Sequence, residues 1–384
     1  MNVITTQAEL EKFCQKVLKS PFLCVDTEFM RETTFYSNLC LVQIASEKDE
    51  AIIDPLAEGI DLGPLIALLL NPKITKVMHA ARQDMEIFYH ICKDVPRPLF
   101  DTQIAAMALG FGDSVGYNAL VKGRLGLNLD KGARFTDWSR RPLSNKQLHY
   151  ALGDVTHLRD LYPGVVKELN DQNRLSWVEE EMKPQLDPEL YTFNPETAWQ
   201  RLKIRSPKRD YLTCLKAAAA WREEEAKTRN IPRRRVLSDD GLYAIAQNKP
   251  RTIEALGRLR GIPRGFEKSR RVKTLIEKLD YALENAETYA PPSPKKRHMP
   301  PNLGPTIDML KTLLRLKCEY QNIAPRLVAN SADIESLAAF GPKADVACLK
   351  GWRREIFGTE ALAMCEGKIA LRLSGREVVA EYID

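Results

Sequence analysis

Four carboxylates and one phenol stand out in the first 154 residues of this 384-residue chain: Asp26, Glu28, Asp84, Tyr150 and Asp154. They lie in apolar surroundings, where an unpaired acid is costly. Acids gather in such places when a cation offsets their desolvation, and hard oxygen donors suit Mg²⁺ or Mn²⁺. Asp26-Thr27-Glu28 follows the apolar run Phe22-Leu23-Cys24-Val25. On a strand, residues i and i+2 share a face, so both carboxylates can address one point. Asp84 falls early in a helix that follows the strand Lys76-Val77-Met78-His79. An acid serving only the helix dipole is the alternative there. Tyr150 and Asp154 are i and i+4 on a helix and share a face; a surface Tyr–Asp pair is the alternative. No Ser–His–Asp, Cys–His or zinc-type spacing is present, so no protein nucleophile is expected. A pair of cations that activates water and stabilises a leaving oxygen is the chemistry such a set could perform.

The elements that must position these groups are legible as alternating apolar runs and amphipathic stretches over the first ~165 residues. Strands are expected at 22–25, 39–44, 51–53 and 76–79, and helices at 62–70, 81–92 and 102–109. Strands mixed with helices over this length indicate an α/β domain, a mixed sheet flanked by helices. From about residue 195 no strand pattern persists, and all-α helical bundle domains are expected. Tyr211 to Arg229 has helical periodicity around Ala217 to Ala220, and Ser238-Asp239-Asp240 reads as an N-cap with acids in the first turn. A basic, Pro-rich linker spans 291–305. The expected organisation is a catalytic domain over 1–195, helical domains over 205–290 and 306–384, and the linker between them.

The net charge of +6 hides an asymmetry. Residues 201–300 hold 25 Lys plus Arg against 12 Asp plus Glu, a balance of +13, leaving −7 for the rest. The middle segment suits a polyanion, with a solvated helical surface as the alternative. Eight scattered cysteines without a CxxC pair fit free thiols in a reducing compartment. No stretch of 18 apolar residues suggests a membrane span, and Met1 to Leu10 lacks the apolar core of a signal peptide. A cytoplasmic location is expected.

The ordered set of Asp-x-Glu, an Asp after His79-Ala80-Ala81-Arg82-Gln83, and Tyr-x-x-x-Asp resembles the proofreading-type 3′–5′ exonuclease superfamily, and within it the ribonuclease D family. Asp101-Thr102-Gln103 and the run LNLDKGARFTDWSRRPL (127–143) match as well. One departure is His157, where relatives often carry an aromatic. The resemblance implies a ribonuclease H-like fold and two cations per site, Mg²⁺ or Mn²⁺. By position, Asp26 would bridge them, Glu28 and Asp154 would complete the first, Asp84 would hold the second, and Tyr150 would orient the attacking water. Residues 205–290 resemble the helicase-and-RNase-D C-terminal (HRDC) domain. Residues 306–384 resemble it more weakly, with Ala324 to Val328 mimicking Pro232 to Leu237.

The expectation is therefore a 3′–5′ exoribonuclease that releases nucleoside 5′-monophosphates from RNA, with tRNA precursors as the family-suggested substrate. No membrane partner is expected, and protein partners are not indicated. A DNA exonuclease of the same superfamily and a catalytically silent nucleic-acid-binding scaffold are the competing readings. Candidate RNA contacts are His79, Gln83, Lys131, Arg134, Trp138, Arg140, Arg141, Arg233, Arg234 and Arg235. Trp138 as a core residue is the alternative for that position.

Overall fold

The computed structural model describes residues 3–130, 132–133, 136–292 and 299–383. They form two compact units, each assembled from separate stretches of chain: Met1–Glu28, Cys40–Pro188 and His298–Asp384 in one; Phe29–Leu39 and Glu189–Arg297 in the other.

In the first unit, strands β1 (Val3–Ile4), β2 (Phe22–Met30), β3 (Asn38–Ala45), β4 (Glu50–Ile53), β5 (Thr75–Met78) and β6 (Leu99–Asp101) form one mixed sheet in the order β1-β4-β3-β2-β5-β6. The sheet is flanked by α1 (Gln7–Val17), α2 (Gly63–Leu69), α3 (Arg82–Cys92), α4 (Thr102–Ala108), α5 (Tyr117–Leu125), α6 (Asn145–Asp171) and α7 (Leu175–Met182). β2, β5 and β6 run parallel, with Cys24 opposite Val77 and Met78 opposite Asp101. Their carboxyl ends therefore lie along one edge, where open α/β sheets bind ligands. The centre of β5 carries Lys76, which is fully buried. Its ammonium donates to the carbonyls of Asn71 (2.7 Å), Ile74 (2.5 Å) and Arg97, which uses all three of its donors.

Helix α6 is opened by a capping box in which Ser144 and Gln147 satisfy each other's backbone amides. It buries Ala151, Val155, Leu158, Leu161, Val165 and Leu169 against the sheet. That stripe fixes its rotation and turns the neighbouring face, with Tyr150 and Asp154, toward the strand ends.

The second unit is built on α8 (Arg209–Thr228), α9 (Arg233–Val236), α10 (Asp239–Asn248), α11 (Ile253–Gly257), α12 (Arg270–Glu284) and α13 (Ala286–Tyr289). Small side chains let neighbours approach α8 closely, and Ala217, Ala218, Ala219 and Ala220 are all buried. The 29–39 stretch plugs into this bundle. Phe35 is 1 % exposed in its core, and Asn230 Oδ1 accepts from the amides of Phe35 and Tyr36, both at 3.1 Å.

The expected separate helical domain over 306–384 clusters instead with the catalytic sheet. Its helices are α14 (Gly304–Gln321), α15 (Pro325–Val328), α16 (Ser331–Phe340), α17 (Gly351–Arg353) and α18 (Thr359–Cys365). Arg174 donates to the carbonyls of Ala108 (2.9 Å) and Gln321 (2.6 Å), and the Ala324 amide donates to Met107 O (2.8 Å). Gly110 sits at φ +81°, and a Cβ there would come within 2.8 Å of the Asn322 carbonyl oxygen. Trp177 and Trp352 stack with centroids 4.2 Å apart. The chain then ends in a hairpin, β7 (Ile369–Ser374) with β8 (Glu377–Tyr382). The region is otherwise helical, as expected, and the hairpin falls on a short stretch that the sequence pattern leaves unassigned. Ser374 pairs with Glu377 around the two-residue turn Gly375-Arg376, with Gly375 at φ +63°. None of the eight cysteines forms a disulfide. No helix among the described residues is long and apolar enough to cross a membrane.

Candidate active site

The parallel strand ends and α6 bring three carboxylates together. One oxygen each of Asp26, Glu28 and Asp154 lies within 4.8 Å of the other two. Burial raises the Asp26 carboxyl well above the usual range, and the charges of Asp154, Asp84 and Glu28 raise it further. Asp84 comes from the first turn of α3 and is 7 % exposed. Burial pushes it up to about 6, against a 2.5 Å hydrogen bond in which the Thr27 hydroxyl donates to its Oδ1. Acids held this way lack compensating positive charge. An all-carboxylate, partly desolvated oxygen set fits hard divalent cations such as Mg²⁺ or Mn²⁺, and fits zinc or copper poorly.

The turn that delivers Asp84 is itself braced. Ala80 has φ +58°, unusual for a residue with a Cβ. The amides of Ala80 and Ala81 both donate to the buried Asp101 carboxylate at 2.9 Å, and Gln103 N donates to it at 2.9 Å. Asp101 therefore holds both the start of α3 and the start of α4. Tyr117 was not singled out by its sequence context. Its hydroxyl donates to Gly153 O (3.1 Å), and burial together with Asp154 and Asp26 raises its pKa. A cavity of about 270 Å³ opens beside Tyr150 and Asp154, lined also by Asn118, Lys146, His149 and His157. Tyr150 is half-buried, and Trp138 packs beneath it with ring centroids 6.1 Å apart.

Several expected RNA contacts have other work in the structure. Trp138 is 2 % exposed and belongs to the core. His79 spends both ring nitrogens internally, on Thr102 Oγ1 (3.0 Å) and Val115 O (3.1 Å), and burial lowers its pKa. Arg141 directs its five N–H donors at protein oxygens: both carboxylate oxygens of Asp54 (2.6 and 2.7 Å) and the carbonyls of Trp138, Arg140 and Cys40 (2.8, 2.8 and 2.9 Å). It has no donor left for a phosphate. In the helical unit, Arg233 forms a bidentate pair with the buried Glu223 (both 2.6 Å) and lies over the Phe35 ring. The physical reason is common to His79, Arg141 and Arg233. A buried acceptor close by claims the donor more strongly than solvated phosphate can. Gln83, Arg140, Arg234 and Arg235 are exposed, Arg140 pairing with Asp137 (3.1 Å) and Arg234 lying 3.5 Å from Asp239. Lys131 and Arg134 lie outside the described residues.

Arg141→Ala is expected to cost about 2–3 kcal/mol of stability, because it leaves the buried Asp54 unpaired. RNA affinity should stay within about twofold. Paired thermal melts and filter-binding titrations check this. A large loss of affinity in a normally stable variant would return Arg141 to the RNA surface.

The raised acids also predict a pH dependence. In metal-free protein, Asp84 has a folded pKa near 6, above its ordinary value of 3.8. A raised carboxylate contributes stability that is full below the ordinary value and is lost as pH rises through the folded one. Asp84→Asn removes that loss. In EDTA, its melting temperature relative to wild type should therefore climb between pH 4.5 and 7.5, whereas a flat difference would show that Asp84 carries no unrelieved charge.

A 3′–5′ exonuclease family model matches residues 1–170, and an HRDC domain model matches 212–275. The chain is 47 % identical to ribonuclease D of Nitrobacter hamburgensis over 379 residues, covering 99 % of each protein. It is 46 % identical to ribonuclease D of Sphingobium indicum, covering 96 % of this chain and 95 % of that one. The chain belongs to the ribonuclease D family. Among solved structures, Escherichia coli RNase D, described as an exoribonuclease involved in structured RNA processing, superposes with a TM-score of 0.80 at 30 % identity. That match covers 96 % of this chain and 99 % of the E. coli chain. As a ribonuclease D family member, the protein is a 3′–5′ exoribonuclease acting on RNA, and its superfamily is metal-dependent.

Proposed function

We propose that this exoribonuclease trims the 3′ ends of tRNA precursors in the cytoplasm, using two divalent ions, Mg²⁺ or Mn²⁺, to release nucleoside 5′-monophosphates one at a time. The observation that carries the reading is the convergence of Asp26, Glu28 and Asp154 within 4.8 Å, with buried Asp84 close enough to raise Asp26. Asp26 would bridge the two ions, Glu28 and Asp154 would complete the first, and Asp84 would serve the second. Bound there, the ions would supply Lewis-acid charge to the scissile phosphate and make water acidic enough to attack.

The chain's own groups do the positioning. Tyr150, one turn before Asp154, would accept or donate a hydrogen bond to the attacking water and hold it in line. Water gives up a proton as its oxygen bonds to the last internucleotide phosphorus, and the bond from that phosphorus to the preceding nucleotide's 3′ oxygen breaks. That oxygen takes up a proton, and the phosphate leaves on the released nucleoside. The cavity beside Tyr150 and Asp154 would take part of the terminal nucleotide. Gln83, Arg140, Arg234 and Arg235 remain available for backbone phosphates.

The test is incubation of 3′-labelled tRNA precursor, and of matched single-stranded RNA and DNA, with and without Mg²⁺. Stepwise release of labelled 5′-monophosphate from the precursor, absent in EDTA and restored by Mn²⁺, is expected. Equal or faster release from DNA would favour a repair-type exonuclease. No release under any metal would leave a binding scaffold.

A further inference from the structure

We propose that Thr27 is a positioning residue whose hydroxyl fixes the Asp84 carboxylate for cation binding, so that one residue of β2 supports an acid of its own strand and an acid of α3. The proposal rests on the cation-site reading above and assigns a role to the residue between the two strand carboxylates.

Thr27 stands between Asp26 and Glu28, and strand alternation turns its side chain away from theirs. An ordinary threonine there would meet core or solvent. This one is 5 % exposed, and its Oγ1 donates to Asp84 Oδ1 at 2.5 Å across 57 residues of sequence. The Thr27 main-chain amide also favours the charged forms of both Asp26 and Asp84. A single residue thus supports one carboxylate on its own strand and another from α3. Threonine suits the task because its branched Cβ restricts χ1, so the hydroxyl is held rather than sampled. Asp84 is not among the three acids whose oxygens fall within 4.8 Å of one another. The Thr27 bond therefore sets where this fourth acid sits relative to that trio. Without it, a 7 % exposed carboxylate would keep its burial and lose its side-chain donor, and would be free to rotate or to take up a proton.

Four variants of the full chain test this: Thr27→Val, nearly isosteric without the donor; Thr27→Ser, which keeps it; Asp84→Asn; and Thr27→Val combined with Asp84→Asn. Mn²⁺ affinity and stoichiometry are read by electron paramagnetic resonance without RNA, and nucleotide release is measured separately. Thr27→Val should weaken Mn²⁺ binding at the Asp84-dependent position by about tenfold or more, the scale seen when a partner of a metal ligand is removed. Thr27→Ser should restore most of it. In the Asp84→Asn background, Thr27→Val should change little further. Wild-type affinity in Thr27→Val, or the same fold loss with and without Asp84, overturns the proposal. Thermal melts identify a variant that simply misfolds, and Thr27→Ser then carries the test through the affinity it retains relative to Asp84→Asn. If wild type binds a single Mn²⁺, the two-ion reading fails. The cycle then still decides Thr27 on that one ion: non-additive losses uphold it, and additive losses overturn it.

Discussion

Asp26→Asn is expected to bind RNA with near wild-type affinity and release almost no nucleotide, a fall of roughly 10³-fold or more in turnover. The reasoning starts from charge. Burial raises the Asp26 carboxyl well above the usual range, and Asp154, Asp84 and Glu28 all bear on it as well. A carboxylate under that much mutual repulsion is the one a cation relieves most. The amide keeps the shape and removes the charge. Divalent affinity should therefore collapse together with turnover, while groups outside the acid cluster still hold the RNA backbone. The same substitution removes a buried repulsion, so the metal-free variant should melt at or above the wild-type temperature. Single-turnover release and electrophoretic mobility shift on one labelled RNA separate the two effects. Release within tenfold of wild type would remove Asp26 from the chemistry.

Arg353→Met is expected to destabilise the sheet-bearing unit by about 3 kcal/mol. Arg353 is 5 % exposed and lies over the Trp352 ring. It donates to Leu327 O (3.0 Å) and Glu180 (2.7 Å) and pairs with Glu181. Methionine keeps most of the volume and loses every donor. Glu180 and Glu181 are partly exposed and can rehydrate, which keeps the cost below that of a fully buried broken pair. Urea unfolding should show an earlier transition, and limited proteolysis should cut first between residues 299 and 384. An unchanged midpoint would mean that the Trp177–Trp352 stack and the Arg174 and Ala324 hydrogen bonds hold this junction without Arg353.

The groups proposed to do chemistry were legible because their signal is local. Asp26 and Glu28 are two apart on a strand, Tyr150 and Asp154 are four apart on a helix, and each period fixes a face. Asp84 needed only the strand-to-turn-to-helix pattern before it. What stayed hidden depends on partners far along the chain. Arg141 reads as a phosphate ligand until Asp54, 87 residues away, is found beneath it. His79 looked like a contact residue, yet Thr102 and Val115 close over both its nitrogens. Arg233 shares a run with Arg234 and Arg235, and only folding separates it from them by supplying Glu223 and Phe35. The C-terminal hairpin stayed unassigned because six-residue strands with exposed faces carry little periodicity beyond the glycine of their turn. The attachment of residues 298–384 to the sheet had no local sign, since it is written in backbone carbonyls such as Gln321 and Met107.

The unit that holds the acids takes chain from both extremes, while residues 29–39 and 189–297 belong elsewhere. The strands of that unit therefore wait for residues 298–384 to complete their contacts, because the stretch made in between belongs to the other unit.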